Sequence, residues 1–134
     1  MLAIDSNIWA YYLDSTVPEH PRAARAVEKS LAGDVLVNTV IQIEVAHYLV
    51  KRLGAVTGPE AADLFLSLPL TVDALDPSLL RDSLRLLARF TDVGIGGRDA
   101  SLLASMERHG VTQLMTHDAT FRRVDWVEVV DPTV

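Results

Sequence analysis

Four acidic residues stand where a carboxylate could do chemistry: Asp5, Glu44, Asp99 and Asp118. Asp5 ends the apolar run that opens the chain, and Asp118 follows another apolar run late in the sequence. Taken singly, each of these two is explained as a helix cap or a turn former. Asp99 falls in the first turn of a predicted helix, where a carboxylate offsets the helix dipole.

Glu44 is harder to explain as a surface residue. Its neighbours at helical spacing are mostly apolar or aromatic: Val40, Ile41, His47 and Tyr48. An ionised glutamate is rarely buried on such a face unless it is paired or bound to a metal. A solvent-facing position and an ion pair with an arginine remain open as alternatives for this residue.

As a set, the four acids predict a site for a hard divalent cation. The chain has no cysteine, and its four histidines lack the short spacing of a zinc motif. Oxygen ligands alone select Mg²⁺ or Mn²⁺. Four carboxylates gathered in one site would repel one another and raise one another's pKa. A bound divalent ion would remove that repulsion.

The elements that must position these acids alternate between short apolar strands and helices. The predicted strands are Leu2–Ile4, Val35–Val37, Leu70–Val72, Val111–Met115 and Trp126–Val130. The predicted helices are Ile8–Leu13, Pro21–Leu31, Thr39–Leu53 with Thr39 as its cap, Glu60–Leu68 led by Pro59, Pro77–Phe90 and Asp99–His109, with a short turn at Ala119–Val124. This order predicts an α/β fold, a parallel sheet with helices on both faces. Ligands of such sheets bind beyond the carboxyl ends of the strands, so the chemistry is expected there.

Length and composition set outer limits on the function. The chain of 134 residues is expected to form a single domain over 1–134. No apolar run reaches the roughly 20 residues of a membrane span, and no basic leader opens the chain, so we expect a cytoplasmic protein. The net charge of -6 disfavours binding of nucleic acid by the overall field of the protein. A polyanionic partner must meet a local basic patch or bound metal ions.

The motifs resemble those of the PIN-domain ribonucleases, in particular the short VapC-type toxins of toxin–antitoxin pairs. The matching pieces are Leu2–Asn7, Glu44 on its apolar helix, Asp99–Ala104, and Thr116–Asp118 leading to Phe121. The resemblance implies a five-stranded sheet whose first and fourth strands are neighbours, so that Asp5 and Asp118 converge. It further implies Mg²⁺- or Mn²⁺-dependent cleavage of RNA, inhibition by a cognate antitoxin, and a homodimer.

On this interpretation, the four acids hold one or two metal ions that position and activate a water for attack on a phosphodiester. Asn7 and Thr116 are expected to orient a carboxylate or contact the substrate, and Arg98 is expected to contact a phosphate. Thr120 stands where many relatives carry a further acid, which puts a complete second metal site in doubt.

Two other functions remain open from the sequence. A phosphoryl-transfer or phospho-acceptor domain also places an aspartate after its first strand, but it usually needs a lysine after a later strand. Neither Lys29 nor Lys51 follows a late predicted strand. The second alternative is a catalytically inactive PIN-like module that binds protein or RNA, since a fold does not fix a function.

Overall fold

Short apolar segments pair as five parallel strands in the computed structural model, which describes residues 1–134. The strands are β1 (Leu2–Ile4), β2 (Val35–Asn38), β3 (Thr71–Asp73), β4 (Gln113–Met115) and β5 (Glu128–Val130). They lie in the order β3-β2-β1-β4-β5. The five-stranded parallel sheet and the adjacency of the first and fourth strands are therefore as expected. All carboxyl ends lie at one edge of the sheet.

Register brings the first and fourth strands into direct alignment. Ala3 of β1 pairs with Leu36 on one side and with Leu114 on the other. Beyond the strand, the N–H of Asp5 donates to the carbonyl of Met115 at 3.0 Å. The residues that follow β1 and β4 are consequently neighbours at the carboxyl edge.

Five helices cover the sheet. They are α1 (Ser6–Leu13), α2 (His20–Ser30), α3 (Thr39–Leu66), α4 (Pro77–Phe90) and α5 (Gly97–Arg108), with 3₁₀ turns at Thr91–Val93 and Ala119–Arg123. α1 packs against α2 and α3, while α4 packs against α5. Right-handed crossovers place the first three helices on one face and the last two on the other, because the strand order reverses between β3 and β4. No helix combines the length and the hydropathy that crossing a bilayer requires.

The cap of α3 corrects one prediction, because Asn38 and not Thr39 fills that position. Asn38 keeps the extended backbone of β2, and its Oδ1 accepts from the N–H of Ile41 at 2.8 Å. An asparagine at the end of a strand can bond the first free N–H groups of the helix, which satisfies a buried polar side chain at the same time. Thr39 is already helical, and its Oγ1 accepts from the N–H of Leu75 at 3.0 Å.

α3 joins the two helices predicted on either side of Gly54. The backbone of Gly54 has φ +92° and ψ 177°, so the helix bends sharply there. Residues 55–58 are already helical, and the second half therefore begins before Pro59 and not after it. A Cβ atom on Gly58 would lie 2.5 Å from the Cα of Val50, so the two halves of α3 meet at a point that only glycine allows.

Aromatic packing fixes the first helix to the sheet. Trp9 and Phe65 are fully buried, with ring centroids 4.9 Å apart. The indole Nε1 of Trp9 donates to the carbonyl of Ile4 at 3.1 Å. The start of α1 is thus tied to the end of β1, and Asp5 lies at the junction of the two.

Candidate metal centre

Asp5 is a buried carboxylate at the centre of the carboxyl edge, with only 5 % of its surface exposed. Its Oδ1 accepts from the N–H of Ser6 at 2.8 Å, which makes it the N-cap of α1. Its Oδ2 accepts from the hydroxyl of Thr116 at 2.8 Å. The capping role and a metal-ligating role are compatible, because each carboxylate oxygen retains a second lone pair.

Burial raises the pKa of Asp5 to about 6. The hydrogen bonds from Thr116 and Ser6 oppose this shift, and the negative charges of Asp99 and Glu44 add to it. A carboxylate that is costly to ionise, and that lies near other carboxylates, is stabilised in its charged form by a neighbouring cation.

Asp99 and Asp118 reach the same edge from different elements. Asp99 lies half-buried in the first turn of α5, and burial is the main cause that raises its pKa. The charges of Asp118 and Glu44 raise that pKa further, against the opposing effects of Gly96 and Arg98. Asp99 is thus within electrostatic range of Asp5, Glu44 and Asp118, although the four acids come from four separate parts of the chain.

Thr116 and Asn7 link the acids that follow β1 and β4. The fully buried hydroxyl of Thr116 donates to Asp5 and accepts from the backbone N–H of Asp118 at 3.0 Å. The amide Nδ2 of Asn7 lies 3.4 Å from the same hydroxyl, and its Oδ1 accepts from the N–H of His117 at 3.2 Å. Asp118 also caps the following turn, since its Oδ1 accepts from the N–H of Thr120 at 2.9 Å. Both predicted helper residues thus hold the carboxylates in place.

Glu44 forms an ion pair with Arg98. An ion pair with an arginine was one of the two alternatives that the sequence left open for this residue. The contact joins Arg98 Nη1 to Glu44 Oε2, a buried oxygen that has no partner with hydrogen-bond geometry. The Arg98 side chain is 73 % exposed, so only one end of the pair is held in the protein. Glu44 nevertheless remains near Asp5 and Asp99, whose pKa values its charge raises.

A buried polar contact that the sequence did not reveal fixes α3 against α5. The amide Nδ2 of Asn38 lies 3.3 Å from the hydroxyl of Ser101 and 3.2 Å from that of Ser105. Ser101 in turn donates to the carbonyl of Arg98 at 2.7 Å. This chain of contacts sets the position of Glu44 on one helix relative to Asp99 on the other.

The residues fit a hard divalent cation in their chemistry. Their free donors are carboxylate oxygens, burial and the charges of neighbouring acids raise the pKa of Asp5 and of Asp99, and Glu44 Oε2 has no hydrogen bond. As the side chains stand, no three acidic or histidine residues are close enough together to ligate one ion. Arg98 is in contact with Glu44, one of the four acids.

A histidine–aspartate pair beside the acids also escaped the sequence interpretation. His117 Nδ1 lies 2.8 Å from Asp131 Oδ2 and 2.9 Å from Thr133 Oγ1. Burial alone would raise the pKa of Asp131, but hydrogen bonds from Thr133 and His117 outweigh it and lower that pKa. Asp131 is therefore ionised and accepts from the imidazole. Asp131 directly follows β5, and this position after a strand was the sequence feature that could have marked it as a site residue.

Two cavities flank Glu44. One of about 480 Å³ is lined by Val40, Ile43, Glu44, His47, Tyr48, Lys51 and Arg98. The other, of about 280 Å³, is lined by Ser6, Asn7, Ala10, Tyr11, Glu44, Val45 and Tyr48. Because they share Glu44 and Tyr48, they form one groove that leads along α3 to the acids.

Comparisons with known proteins agree on the fold. The family model described as PIN domain matches residues 2–127. No curated protein matches the chain significantly in sequence. Among solved structures, VapC20 of Mycobacterium tuberculosis, described as a sarcin–ricin loop cleaving toxin, is similar with a TM-score of 0.83 and 22% identity, over 96% of this chain and 98% of that one. A toxin–antitoxin complex from Klebsiella pneumoniae is similar with a TM-score of 0.72 and 21% sequence identity, over 98% of both chains. VapBC2 of Rickettsia felis, bound to a DNA fragment from its promoter, is similar with a TM-score of 0.71 and 15% sequence identity, over 96% of both chains.

Proposed function

The chain belongs to the PIN-domain family, and from this premise we propose that it is a metal-dependent endoribonuclease, the toxin of a toxin–antitoxin pair acting in the cytoplasm. One observation carries the proposal: four carboxylates from separate elements lie at the carboxyl edge of a parallel sheet, where the charges of the neighbouring acids add to the raised pKa of Asp5 and of Asp99. The description of the M. tuberculosis neighbour as a sarcin–ricin loop cleaving toxin supports RNA as the substrate proposed for this chain.

Asp5, Glu44, Asp99 and Asp118 would hold Mg²⁺ or Mn²⁺, directly or through water. When bound, such an ion lowers the pKa of a water ligand and offsets negative charge that develops on the phosphate. Thr116 keeps the carboxylate of Asp5 oriented through its 2.8 Å hydrogen bond. Asn7 fixes the backbone of His117, and with it the turn that carries Asp118.

Arg98 is the residue proposed to meet a phosphate of the substrate. Its guanidinium is exposed, directly precedes Asp99 in sequence and already lies against a carboxylate of the site. The guanidinium could donate to a phosphate oxygen as a bidentate donor, and a cation held by Glu44 would leave it free to do so.

The groove beside Glu44 supports the proposed antitoxin as a protein partner. Apolar and aromatic side chains line it, among them Ile43, which is 69% exposed, and Tyr48. A helical or extended segment lying in this groove could place a basic side chain against the acids and so exclude the metal. A homodimer is proposed on the family resemblance, and the exposed leucines Leu80 and Leu84 on α4 offer apolar surface for a second copy.

A nuclease assay on purified protein tests the proposal. Cleavage of RNA should require Mg²⁺ or Mn²⁺ and stop with EDTA, and Asp99→Asn should lower the rate at least about a hundredfold, because it removes one ligand charge. The matched control is Asp63→Asn, since Asp63 is exposed on α3 and forms no side-chain hydrogen bond or ion pair. Equal activity of Asp99→Asn and the parent would remove Asp99 from the site.

The inactive binding module remains the second candidate, and two observations favour it. No three potential ligands are gathered as the side chains stand, and Glu44 is engaged by Arg98. Calorimetric titration with Mn²⁺ separates the two functions. Binding that is lost in Asp99→Asn supports the nuclease, whereas the absence of Mn²⁺ binding by the parent supports the module.

A further inference from the structure

One face of α2 carries positive charge that the protein itself does not neutralise. Five of the arginines form ion pairs with carboxylates: Arg52, Arg85, Arg89, Arg98 and Arg108. No such ion pair involves Arg22, Arg25 or Lys29. Their spacing in the sequence places these three cations on one side of α2. In a chain with a net charge of -6, this is a local cationic surface of the kind that a polyanion requires.

These three cations border a cavity beside the end of the last strand. The cavity has a volume of about 340 Å³, and Ala26, Pro132 and Val134 complete its lining. Arg22 also donates to the carbonyl of Thr133 at 3.2 Å, which holds the start of α2 against residues 131–134. The remaining donors of Arg22, and all those of Arg25 and Lys29, are directed to no acceptor of the protein.

A continuous series of contacts joins this surface to the acids. Thr133, which bonds Arg22, lies 2.9 Å from Nδ1 of His117. The backbone of His117 bonds Asn7, and Asn7 contacts the Thr116 hydroxyl that donates to Asp5. These contacts connect Arg22, at the start of α2, to the carboxylates at the carboxyl edge of the sheet.

The exposed imidazole of His117 lies between these two regions. The ring of Tyr11 approaches it edge-on, with centroids 6.2 Å apart. Aromatic and imidazole rings beside a cationic groove are the surface that a single strand of RNA uses, because its bases stack while its phosphates meet cations.

We propose that Arg22, Arg25 and Lys29 hold phosphates of the RNA strand that flanks the scissile bond, with the strand passing over His117 to the acids. The inference rests on the proposed function and adds to it a path for the substrate. Arg25 and Lys29 contribute affinity through their charge, and Arg22 additionally anchors the C-terminal segment.

The test is RNA binding by Arg25→Gln/Lys29→Gln, measured by fluorescence anisotropy with a labelled unstructured oligoribonucleotide at one fixed concentration of Ca²⁺, a hard cation that carboxylate oxygens also bind. Each lost contact with a single-stranded phosphate should lower the slope of log K against log salt by about 0.7, so the double variant should lose about 1.4. At about 0.1 M salt this corresponds to a loss of affinity on the order of tenfold. The control is Arg81→Gln/Arg85→Gln on α4, on the opposite face of the sheet, which makes the same change in net charge and also removes the exposed ion pair of Arg85 with Glu107.

Both double variants should keep the melting temperature of the parent, since the substituted side chains are exposed. An unchanged salt slope in Arg25→Gln/Lys29→Gln, or an equal loss in the control, overturns the proposal. If the parent cleaves RNA but the α2 variant binds it normally, this inference fails alone. If the parent neither binds nor cleaves RNA, the proposed function fails with it.

Discussion

The buried carboxylate of Asp5 couples the stability of the protein to the acid cluster. Its pKa is raised from 3.8 to about 6, so the folded state binds more protons than the unfolded state between these values. The free energy of unfolding contributed by this group is therefore greatest below about pH 4 and is lost as the pH rises through about 6. The shift corresponds to about 3 kcal/mol.

Asp5→Asn should therefore stabilise the metal-free protein at neutral pH. We expect a gain of up to about 3 kcal/mol at pH 7.5 and little difference from the parent near pH 4, measured by urea unfolding in EDTA. Asp63→Asn, which changes an exposed acid on α3, should show no such pH-dependent difference. A gain of equal size at both pH values would contradict the role of buried charge.

The candidate site was predictable residue by residue only in part. Asp5 and Asp118 follow strands, and parallel strands end at one edge, so their approach followed from the pattern once β1 and β4 were neighbours. The ion pair between Glu44 and Arg98 depends on how α3 lies against α5. That placement is set by the buried amide of Asn38, whose partners are more than sixty residues away in sequence.

At the level of the elements, the close contact between Gly58 and Val50 within α3 is the position where a larger side chain is least tolerated. A Cβ at Gly58 would lie 2.5 Å from Val50 Cα and 2.7 Å from the carbonyl oxygen of Leu49, and neither backbone atom can move aside easily. Gly58→Ala should therefore destabilise the protein by about 3 kcal/mol, at the upper end for overpacking. Thermal unfolding measures this directly.

Gly33→Ala is the control for that substitution. A Cβ at Gly33 would meet only the carbonyl oxygen of Ser30, at 3.9 Å, which is an ordinary van der Waals contact. We expect its melting temperature to stay close to that of the parent. If Gly58→Ala behaved in the same way, the two halves of α3 would not be in the close contact described.

Element types were predictable from the sequence, whereas element ends were less so. Alternation of apolar strands with helices was sufficient for the parallel sheet, and Gly54 marked the bend in α3 correctly. The cap at Asn38 was missed because Thr39 is also a good capping residue, and only the direction of the backbone after β2 distinguishes them. Pro59 suggested a helix start, but the helical turn before it forms regardless.

At the scale of the whole molecule, charge is separated between two regions. The protein carries a net charge of -6, its four candidate acids lie at the carboxyl edge, and unpaired cations of α2 border a cavity next to Pro132 and Val134. A polyanion would be repelled by the acids alone. Divalent ions, if bound as proposed, would reverse the sign of that region, and the cations of α2 would then extend the favourable surface. The arginines at 85 and 89 on α4 pair with carboxylates instead, as expected for an exposed helix face.

The most direct test of the account is the anomalous diffraction of a crystal soaked in Mn²⁺. The account predicts one or two manganese peaks bound by carboxylate oxygens of Asp5, Asp99 and Asp118, with Glu44 turned from Arg98 toward the metal or its water ligands. It also predicts that the peaks vanish in Asp99→Asn. Manganese bound elsewhere, or no peak among these four carboxylates, would contradict the metal centre and the ribonuclease activity proposed from it.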